Sequence, residues 1–311
     1  MIYHVFANRS NIGDWLSAKG IQKLLSPLEI TECLCDSPFV EETMKILEGA
    51  TENDMIVIGG GGLLMDYFIP FWEVFNSIAD RVPFYIWGIG YCDLKNEYSH
   101  PPNQLIEDII NKSKYCIVRD ELTRSYLTRC QLLPSVPCPS INVVEPVSKM
   151  ANDLLHVVNY TTAGAETYEH MCKAARAFSE DTGRVYRETN NRISKNSEKE
   201  LVRTLSLYER SGIILSSALH GCIIGVAMGL KVLAVSGDRK IDSFMEAVGL
   251  KDWVLDTTKV HLVSKYLKEL QAQATPLSVL ENIQGKNLHI ASHIKHTIAG
   301  HLPASFNFTP I

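Results

Sequence analysis

Short apolar runs alternate along this chain with stretches of helical periodicity, and this alternation constrains the fold more than any other feature. The first half contains the runs "IYHVFA", "MIVIGG", "PFYIWGIG" and "YCIVRD", and a helical pattern follows each of them. The second half repeats the arrangement with "LLHVVNY", "GIILSS" and "KVLAVS", while "RVYRETN" is compatible with a strand or an irregular segment. Strands that alternate with helices form parallel sheets. The sequence therefore predicts an α/β protein.

The alternation is interrupted near the middle of the chain by a segment rich in proline and serine. This segment, "QLLPSVPCPSINVVEPVS", begins at residue 131 of a chain of 311 residues, which is long enough for two ordinary domains. We therefore expect a linker here and two Rossmann-like domains, residues 1–150 and residues 151–311, the second ending in a helical tail. Ligands of open parallel sheets bind at the carboxyl ends of the strands. A cleft between the two domains is the expected binding site.

Charge and composition argue against several classes of function. The formal net charge is -5 and the basic residues form no cluster, which argues against nucleic-acid binding. The eight cysteines show no zinc-ligand spacing, so we expect reduced thiols and no bound metal. The N-terminus lacks the pattern of a signal peptide, and no uncharged apolar run approaches the ~18 residues of a spanning helix. These features favour a cytoplasmic protein.

A run of four glycines, Gly59 to Gly62, ends a predicted strand in "IVIGGGGLL". Without side chains, the backbone at Gly60, Gly61 and Gly62 can approach an anion closely and present N–H donors to it. The run lacks the lysine and hydroxyl residue of a phosphate-binding P-loop, and it does not match the pattern of a dinucleotide-binding turn. We predict that these glycines line the cleft.

Polar residues follow two further strands of the first half. Asn11 and Asp14 lie between a strand and a helix, where Asp14 could cap the helix or contact a substrate. Arg119 and Asp120 end the strand "YCIVRD", and the sequence leaves two interpretations of Arg119 open. It could form an ion pair with Asp120, which would cap the next helix, or it could bind a carboxylate or phosphate through two hydrogen bonds.

The stretch "LSSALHG" places a histidine between a strand and a helix in the second half. His220 precedes Gly221 and lies near the helix start, whose free N–H groups favour an anion and lower the pKa of a histidine. Ser216 and Ser217 could cap this helix or bind phosphate oxygens, and Gly221 is expected to contact the substrate beside them. A lone histidine is more often a packing residue, but this position at a strand-to-helix turn favours a role in proton transfer.

Five stretches with distinctive patterns occur along the chain in the order "NIGDWL", "VIGGGGLL", "IVRDELTRSYL", "SSALHGCIIGVAMGLKVLAV" and "DRKIDSFMEAVGL". Together they resemble the polysaccharide pyruvyltransferase family. The resemblance implies a fold of GT-B type, with two Rossmann-like domains facing a cleft. It also implies that phosphoenolpyruvate is the donor and that a saccharide of a cell-surface or exopolysaccharide precursor receives a cyclic pyruvate ketal. A lipid-linked acceptor would place the protein at the inner face of the membrane.

One position departs from the family pattern. The family's histidine block has the form S-x-R-L-H, whereas Ala218 stands at the arginine position here. The resemblance then implies that Arg119 holds the donor with help from Arg239 or Lys240, and that His220 transfers protons without a metal or further cofactor. Two alternatives stay open. One is a glycosyltransferase of the same fold that uses a nucleotide sugar, and the other is a non-catalytic saccharide-binding relative.

Overall fold

Two parallel β-sheets form the framework of the molecule. The computed structural model describes residues 1–95, 97, 102–132, 134–147, 151–194, 197–274 and 277–298. Each sheet has five strands, and all neighbouring strands run parallel. No helix within these ranges is both long enough and apolar enough to cross a bilayer. The prediction of an α/β protein with two parallel-sheet domains is confirmed.

The first sheet has the strand order β2-β1-β3-β4-β5. Its strands are β1 (Ile2–Phe6), β2 (Ile30–Leu34), β3 (Met55–Gly61), β4 (Phe84–Ile89) and β5 (Tyr115–Val118). The helices that accompany it are α1 (Ile12–Leu25), α2 (Val40–Glu48), α3 (Ile69–Phe75), α4 (Gln104–Ile110) and α5 (Glu121–Tyr126). The chain changes direction across the sheet between β1 and β3. Such a switch point opens a crevice at the carboxyl ends of the two strands.

The second sheet repeats this topology with the order β10-β9-β8-β6-β7. Its strands are β6 (Asp153–Val157), β7 (Tyr186–Thr189), β8 (Ser211–Ser216), β9 (Lys231–Ser236) and β10 (Val254–Asp256). The accompanying helices are α6 (Tyr160–Thr182), α7 (Glu198–Glu209), α8 (Leu219–Ala227), α9 (Arg239–Ala247) and α10 (Val263–Glu269). Its switch point lies between β6 and β8, so each domain offers one crevice.

Edge strands are the elements that the sequence predicted least well. Neither β2 nor β10 was expected, and "RVYRETN", which was left open, contains β7. All three lie at a sheet edge and pair with one neighbour. An edge strand needs no continuous apolar run, and the pattern "ITECL" of β2 leaves four of its five residues half-buried. The apolar signal is therefore strongest in the central strands.

The C-terminal helix α11 (Leu277–Ile298) packs against the first sheet through its second half, while Leu280 and Ile283 of its first half join a buried cluster that includes side chains of the second sheet. Its Ile290 and Ile294 belong to the same buried cluster as Trp87 of β4. The Trp87 Nε1 atom donates a hydrogen bond to Asn287 Oδ1 at 3.2 Å. The helical tail, predicted as part of the second domain, therefore also covers a face of the first sheet that would otherwise expose its apolar side chains.

The proline-rich segment is a buried connection between the sheets. Val136, Cys138 and Ile141 are at most 2% exposed, and the turn Pro139–Asn142 packs against α1, α8 and α11. Proline fixes φ and reduces the number of conformations that the unfolded segment can adopt, which favours a segment held in one conformation. The segment therefore forms part of the floor between the domains and is not a loose linker.

The two domains also meet through short backbone bridges on two sides. One bridge pairs Asn11, after β1, with Arg192, after β7. The other pairs Leu94, after β4, with Asp238, after β9. N–H···O=C hydrogen bonds of 2.7–3.0 Å flank both bridges. These contacts hold the two switch points opposite each other.

Candidate active site

A cavity of about 450 Å³ lies between the domains, where the two switch points face each other. Each lining residue lies in a loop or helix start that follows the carboxyl end of a strand. The lining residues that carry polar or charged groups are Asn11, Asp14, Cys92, Arg119, Asn159, Tyr160, Thr161, Thr162, Asn190, Asn191, Arg192, His220, Asp238 and Lys240. The position agrees with the general rule for ligand sites in open parallel sheets.

His220 is the second residue of α8, and its imidazole packs directly against the start of α1. A methyl group added to Gly13 would lie 2.0 Å from His220 Nδ1, so glycine is required for this approach. The other ring nitrogen, Nε2, lies 3.7 Å from the Cys138 sulfur. Burial, together with the positive charges of Arg119 and Lys240, lowers the pKa of His220 to about 3. The imidazole is therefore neutral at pH 7 and can accept a proton.

Asp14 lies in the first turn of α1 and does not cap the helix, which corrects one interpretation of the sequence. Asn11 is the N-cap, and its side-chain oxygen accepts a hydrogen bond from Gly13 N at 3.0 Å. Burial raises the pKa of Asp14 to about 6, although Arg119 and nearby cations oppose this shift. Asp14 is therefore a carboxyl group that can hold or release a proton close to neutral pH.

Arg119 forms the ion pair with Asp120 that the first interpretation predicted, and its binding of an anion stays a prediction. Its side chain is buried, with Nε donating to Asp120 Oδ2 at 3.2 Å and Nη2 donating to the Tyr91 carbonyl at 3.1 Å. Asp120 also caps α5, because its Oδ1 accepts from Thr123 N at 2.7 Å. The guanidinium group nevertheless lines the cavity. It is thus a cation held in a fixed orientation by its buried partners.

Lys240 lines the cavity, whereas Arg239 does not. The Lys240 Nζ atom lies 2.6 Å from Asp238 Oδ2 and 2.9 Å from the Cys92 sulfur. Arg239 points elsewhere and pairs with Asp93 Oδ1 at 2.7 Å, across the boundary between the domains. The predicted choice between Arg239 and Lys240 as a second cation at the site is therefore resolved in favour of Lys240.

Of the three predicted glycines, only Gly62 lines the cavity. Gly60 and Gly61 have φ values of +85° and +93°, which residues with side chains rarely adopt. A methyl group at Gly61 would lie 2.6 Å from the Asp14 carboxylate. These two glycines let α1 pack closely on β3 and so position Asp14. We predicted that Gly60 and Gly61 line the cleft and contact an anion, but they lie outside the cavity lining and serve this packing role.

Ser216, Ser217 and Gly221 likewise lie behind the cavity wall. The Ser216 hydroxyl accepts from Ala218 N at 3.0 Å, which holds the start of α8 without capping it. The Ser217 hydroxyl accepts from Asn159 N at 2.9 Å. At Gly221 a methyl group would lie 2.2 Å from the Ser216 oxygen. These residues shape two loops that line the cavity, and the prediction that they contact substrate is not supported by their positions.

Sequence reasoning missed the loops after β6 and β7. Asn159 to Thr162 follow β6, and Asn190 to Arg192 follow β7. Asn159 caps α6 by accepting from Thr161 N at 3.1 Å. These loops could have been identified from the sequence, because β6 was predicted and β7 was considered, and parallel strands place all their carboxyl ends at one edge of the sheet. Arg192 adds a third cation to the lining.

Two domains of parallel sheet that face each other across such a cavity define a GT-B-like fold, and solved structures share it. MnaA of S. aureus, solved with UDP, has a TM-score of 0.64 at 13% identity, and the match covers 98% of this chain and 99% of MnaA. A putative UDP-N-acetylglucosamine 2-epimerase from Listeria monocytogenes has a TM-score of 0.57 at 10% identity, with 99% of both chains covered. The Methanocaldococcus jannaschii UDP-GlcNAc 2-epimerase in complex with UDP-GlcNAc and UDP has a TM-score of 0.54 at 10% identity, with 95% and 99% covered. At sequence identities this low, the structural similarity establishes that the fold is shared and nothing about function.

The family model described as polysaccharide pyruvyl transferase matches residues 8–239, most of the chain. This chain belongs to the polysaccharide pyruvyl transferase family, which is a family of transferases. No curated protein matches it. The matched range includes the charged residues Asp14, Arg119, Arg192 and Asp238 of the cavity, and Lys240 lies one residue beyond it. The resemblance seen in the five sequence stretches is thereby confirmed.

Proposed function

We propose that this chain is a pyruvyltransferase that uses phosphoenolpyruvate to form a cyclic pyruvate ketal on two hydroxyls of a saccharide, in a cell-surface or exopolysaccharide precursor. The observation that carries the proposal is the composition of one cavity, which joins a cationic wall to two proton-transfer groups. Burial favours the neutral form of both groups, a carboxylic acid at Asp14 and an imidazole at His220. An acid and a base placed together in this way are typical of a catalytic site.

The cationic wall suits a donor that carries a phosphate and a carboxylate. Arg119 and Lys240 are held by buried partners, so little side-chain freedom is lost when they bind an anion. The first N–H groups of α8 have no partners within the helix and add a positive dipole end at Leu219. Ala218 lines the cavity beside them. We infer that Arg119 and Lys240 supply the positive charge that the family's arginine would supply at this position.

The proposed reaction begins with proton transfer to the donor. Asp14 protonates C3 of phosphoenolpyruvate, which makes C2 electrophilic, and a sugar hydroxyl attacks C2 while His220 accepts the hydroxyl proton. The C2–O bond to phosphate then breaks. The neighbouring hydroxyl attacks C2 and loses its proton, which closes the ketal. Two hydroxyl protons are released in total, one of which restores Asp14 while the other leaves with inorganic phosphate.

Binding of the donor would improve both groups for these roles. An anion between Arg119 and Lys240 offsets the positive charges that now lower the pKa of both Asp14 and His220. The pKa of Asp14 would rise further, so more of the carboxyl group would be protonated at pH 7. The pKa of His220 would move back toward its ordinary value, which makes the imidazole a stronger base.

The proposed scheme requires no metal and no cofactor other than the donor substrate. Because phosphoenolpyruvate is a metabolite of the cytoplasm, the reaction would take place there. A lipid-linked acceptor would bring the chain to the inner face of the membrane.

The proposal is tested by incubating the protein with phosphoenolpyruvate and a panel of glycans. We expect phosphate release that depends on the acceptor, together with an acceptor mass increased by one pyruvate ketal. The His220→Ala variant should lose at least about 100-fold in rate, the usual contribution of one acid–base group. Its melting temperature should change little, because His220 is half-buried and Nε2 makes only a long contact to sulfur.

The matched control is His261→Ala, which removes an exposed histidine outside the cavity and should leave the rate unchanged. Thermal stabilisation by a nucleotide sugar without stabilisation by phosphoenolpyruvate would favour a glycosyltransferase instead. If neither ligand stabilises the protein and no acceptor is modified, the chain is a saccharide-binding relative without this activity.

A further inference from the structure

A second group of chemically reactive side chains lies in the second domain, outside the cavity. His156 on β6 and Glu188 on β7 are paired in the register of the sheet. Tyr186 precedes Glu188 by two residues and therefore lies on the same face of the strand. Helix α6 covers this face and contributes Cys172 and, one turn earlier, Tyr168. The fold thus brings together five side chains that are up to 32 residues apart in sequence.

Four donor atoms of this group lie at the corners of a distorted tetrahedron. They are His156 Nδ1, Cys172 Sγ, Glu188 Oε2 and Tyr186 Oη, and their six separations range from 2.6 to 3.8 Å. A tetrahedron of this size has its centre about 2 Å from each corner, which is close to the lengths of Zn–N and Zn–O bonds and somewhat below that of Zn–S. Its centre is therefore a position at which zinc could contact all four atoms.

We propose that His156, Cys172 and Glu188 form a binding site for Zn²⁺, with the Tyr186 hydroxyl at the fourth corner. Nitrogen, sulfur and carboxylate oxygen in tetrahedral arrangement are the ligands that zinc prefers, whereas Mg²⁺ and Ca²⁺ require more oxygens. Cys172 donates its S–H to Glu188 in the metal-free protein. On binding, that proton passes to solvent, and the thiolate and carboxylate together balance the charge of Zn²⁺.

The surroundings of the site are compatible with a bound metal ion. The Tyr168 hydroxyl donates to the other carboxylate oxygen, Glu188 Oε1, at 3.0 Å, and such a bond orients a carboxylate ligand from behind. His156 is fully buried, and among the described residues its Nε2 has no hydrogen-bond partner, so the ring is held by its Nδ1 contacts within the group. Cys172 is half-buried and the Glu188 side chain is 26% exposed, so an ion can enter from solvent.

The zinc site would stabilise the structure of the second domain, and we infer it independently of the proposed transfer reaction. Strand β7 lies at the edge of its sheet and pairs only with β6. Its end leads directly into Asn190 to Arg192, which line the cavity. A zinc ion held by β6, β7 and α6 would therefore fix the position of this loop.

The proposal is tested on the full chain, treated with a chelator and then loaded with Zn²⁺ or Co²⁺. We expect one equivalent of zinc per chain by elemental analysis. With Co²⁺ we expect the near-ultraviolet charge-transfer absorption of a thiolate ligand and the strong visible bands of a tetrahedral ion. Removal of one ligand by Cys172→Ser or Glu188→Gln should weaken zinc binding by more than about 100-fold, since loss of an outer partner alone costs 10- to 100-fold.

The matched control is Cys130→Ser, which removes another half-buried thiol far from the group and should leave zinc binding unchanged. Circular dichroism confirms that each variant is folded. If a variant does not fold, the Co²⁺ spectrum of the unmodified chain still decides the question. Absence of zinc uptake, absence of the thiolate band, or full zinc affinity in Cys172→Ser would overturn the proposal.

Discussion

At the scale of single residues, burial decides the chemistry of Asp14. Its position in the first turn of α1 suggests a capping role, but Asn11 fills that role. The carboxyl group instead faces a cavity closed by the second domain, where low solvation raises its pKa to about 6 from an ordinary value of 3.8. The same removal from water lowers the pKa of His220. Asp14 thereby titrates near neutral pH, while the imidazole of His220 is neutral there.

This raised pKa predicts how the Asp14→Asn variant responds to pH. As the pH rises from about 4 to above 6, Asp14 loses its proton more readily in the unfolded chain, so the wild-type protein loses stability. Asparagine remains neutral, so the variant should be more stable than wild type by about 1–3 kcal/mol at pH 8 and nearly equal at pH 4. Chemical denaturation at both pH values measures this difference. Asp80→Asn, at an exposed carboxylate, should show no such change, and an equal gain at both pH values would contradict the raised pKa.

At the scale of elements, the starts of α1 and α8 approach each other across the domain boundary. Helix α1 begins with glycine as its second residue, and the imidazole of His220 occupies the space that a side chain there would fill. Residues 218 and 219 at the start of α8 line the cavity, and the first N–H groups of a helix have no partners within it. The contact of the two helix starts therefore sets the position of the His220 imidazole.

Gly13→Ala tests this contact. The added methyl group would lie 2.0 Å from His220 Nδ1, so the imidazole or the helix must move. We expect a loss of about 1–3 kcal/mol in the free energy of unfolding and a larger proportional loss of transfer activity. Gly285→Ala in α11 is the control, because its methyl group meets nothing within 4 Å and should stabilise the helix by up to about 1 kcal/mol. Equal effects of the two substitutions would show that the close approach is unimportant.

At the scale of the whole molecule, the last described helix packs against the first domain. Helix α11 follows the second domain in sequence but covers the first sheet. Asn287 is completely buried there, accepting from Trp87 Nε1 and donating from Nδ2 to the Pro137 carbonyl at 3.1 Å. One side chain thus links the C-terminal helix, the first sheet and the buried connection between domains.

Asn287→Leu should therefore destabilise the protein well beyond the loss of one surface contact. The substitution leaves the Trp87 N–H and the Pro137 carbonyl buried without partners, and we expect a cost of about 2–4 kcal/mol. Denaturant unfolding followed by tryptophan fluorescence measures it directly, since Trp87 lies in the affected contact. Leu288→Ala alters the adjacent, 57% exposed residue and should change stability by less than about 0.5 kcal/mol. Similar values for both variants would contradict the linking role of Asn287.

Much of the framework follows from local pattern. The central strands carry continuous apolar runs because helices cover them on both faces, and the turns after them carry glycine, asparagine and charged residues. Those patterns identified Asn11, Asp14, Arg119 and His220 as candidates, and all four line the cavity. The edge strands β2 and β10 were missed because a strand with one neighbour needs no such run.

The sequence by itself determined the class of fold, the family and the strand ends at which a site forms, because periodicity and motif order are local properties. Only the tertiary structure decided which residues reach the cavity. In the structure, Ser216, Ser217, Gly221 and Arg239 lie outside the cavity lining, and the loops after β6 and β7 are part of it. It also assembled His156, Cys172 and Glu188, whose spacing in sequence shows no metal-ligand pattern. Burial, side-chain direction and pKa values depend on neighbours from other elements, and only the packed chain brings those neighbours together.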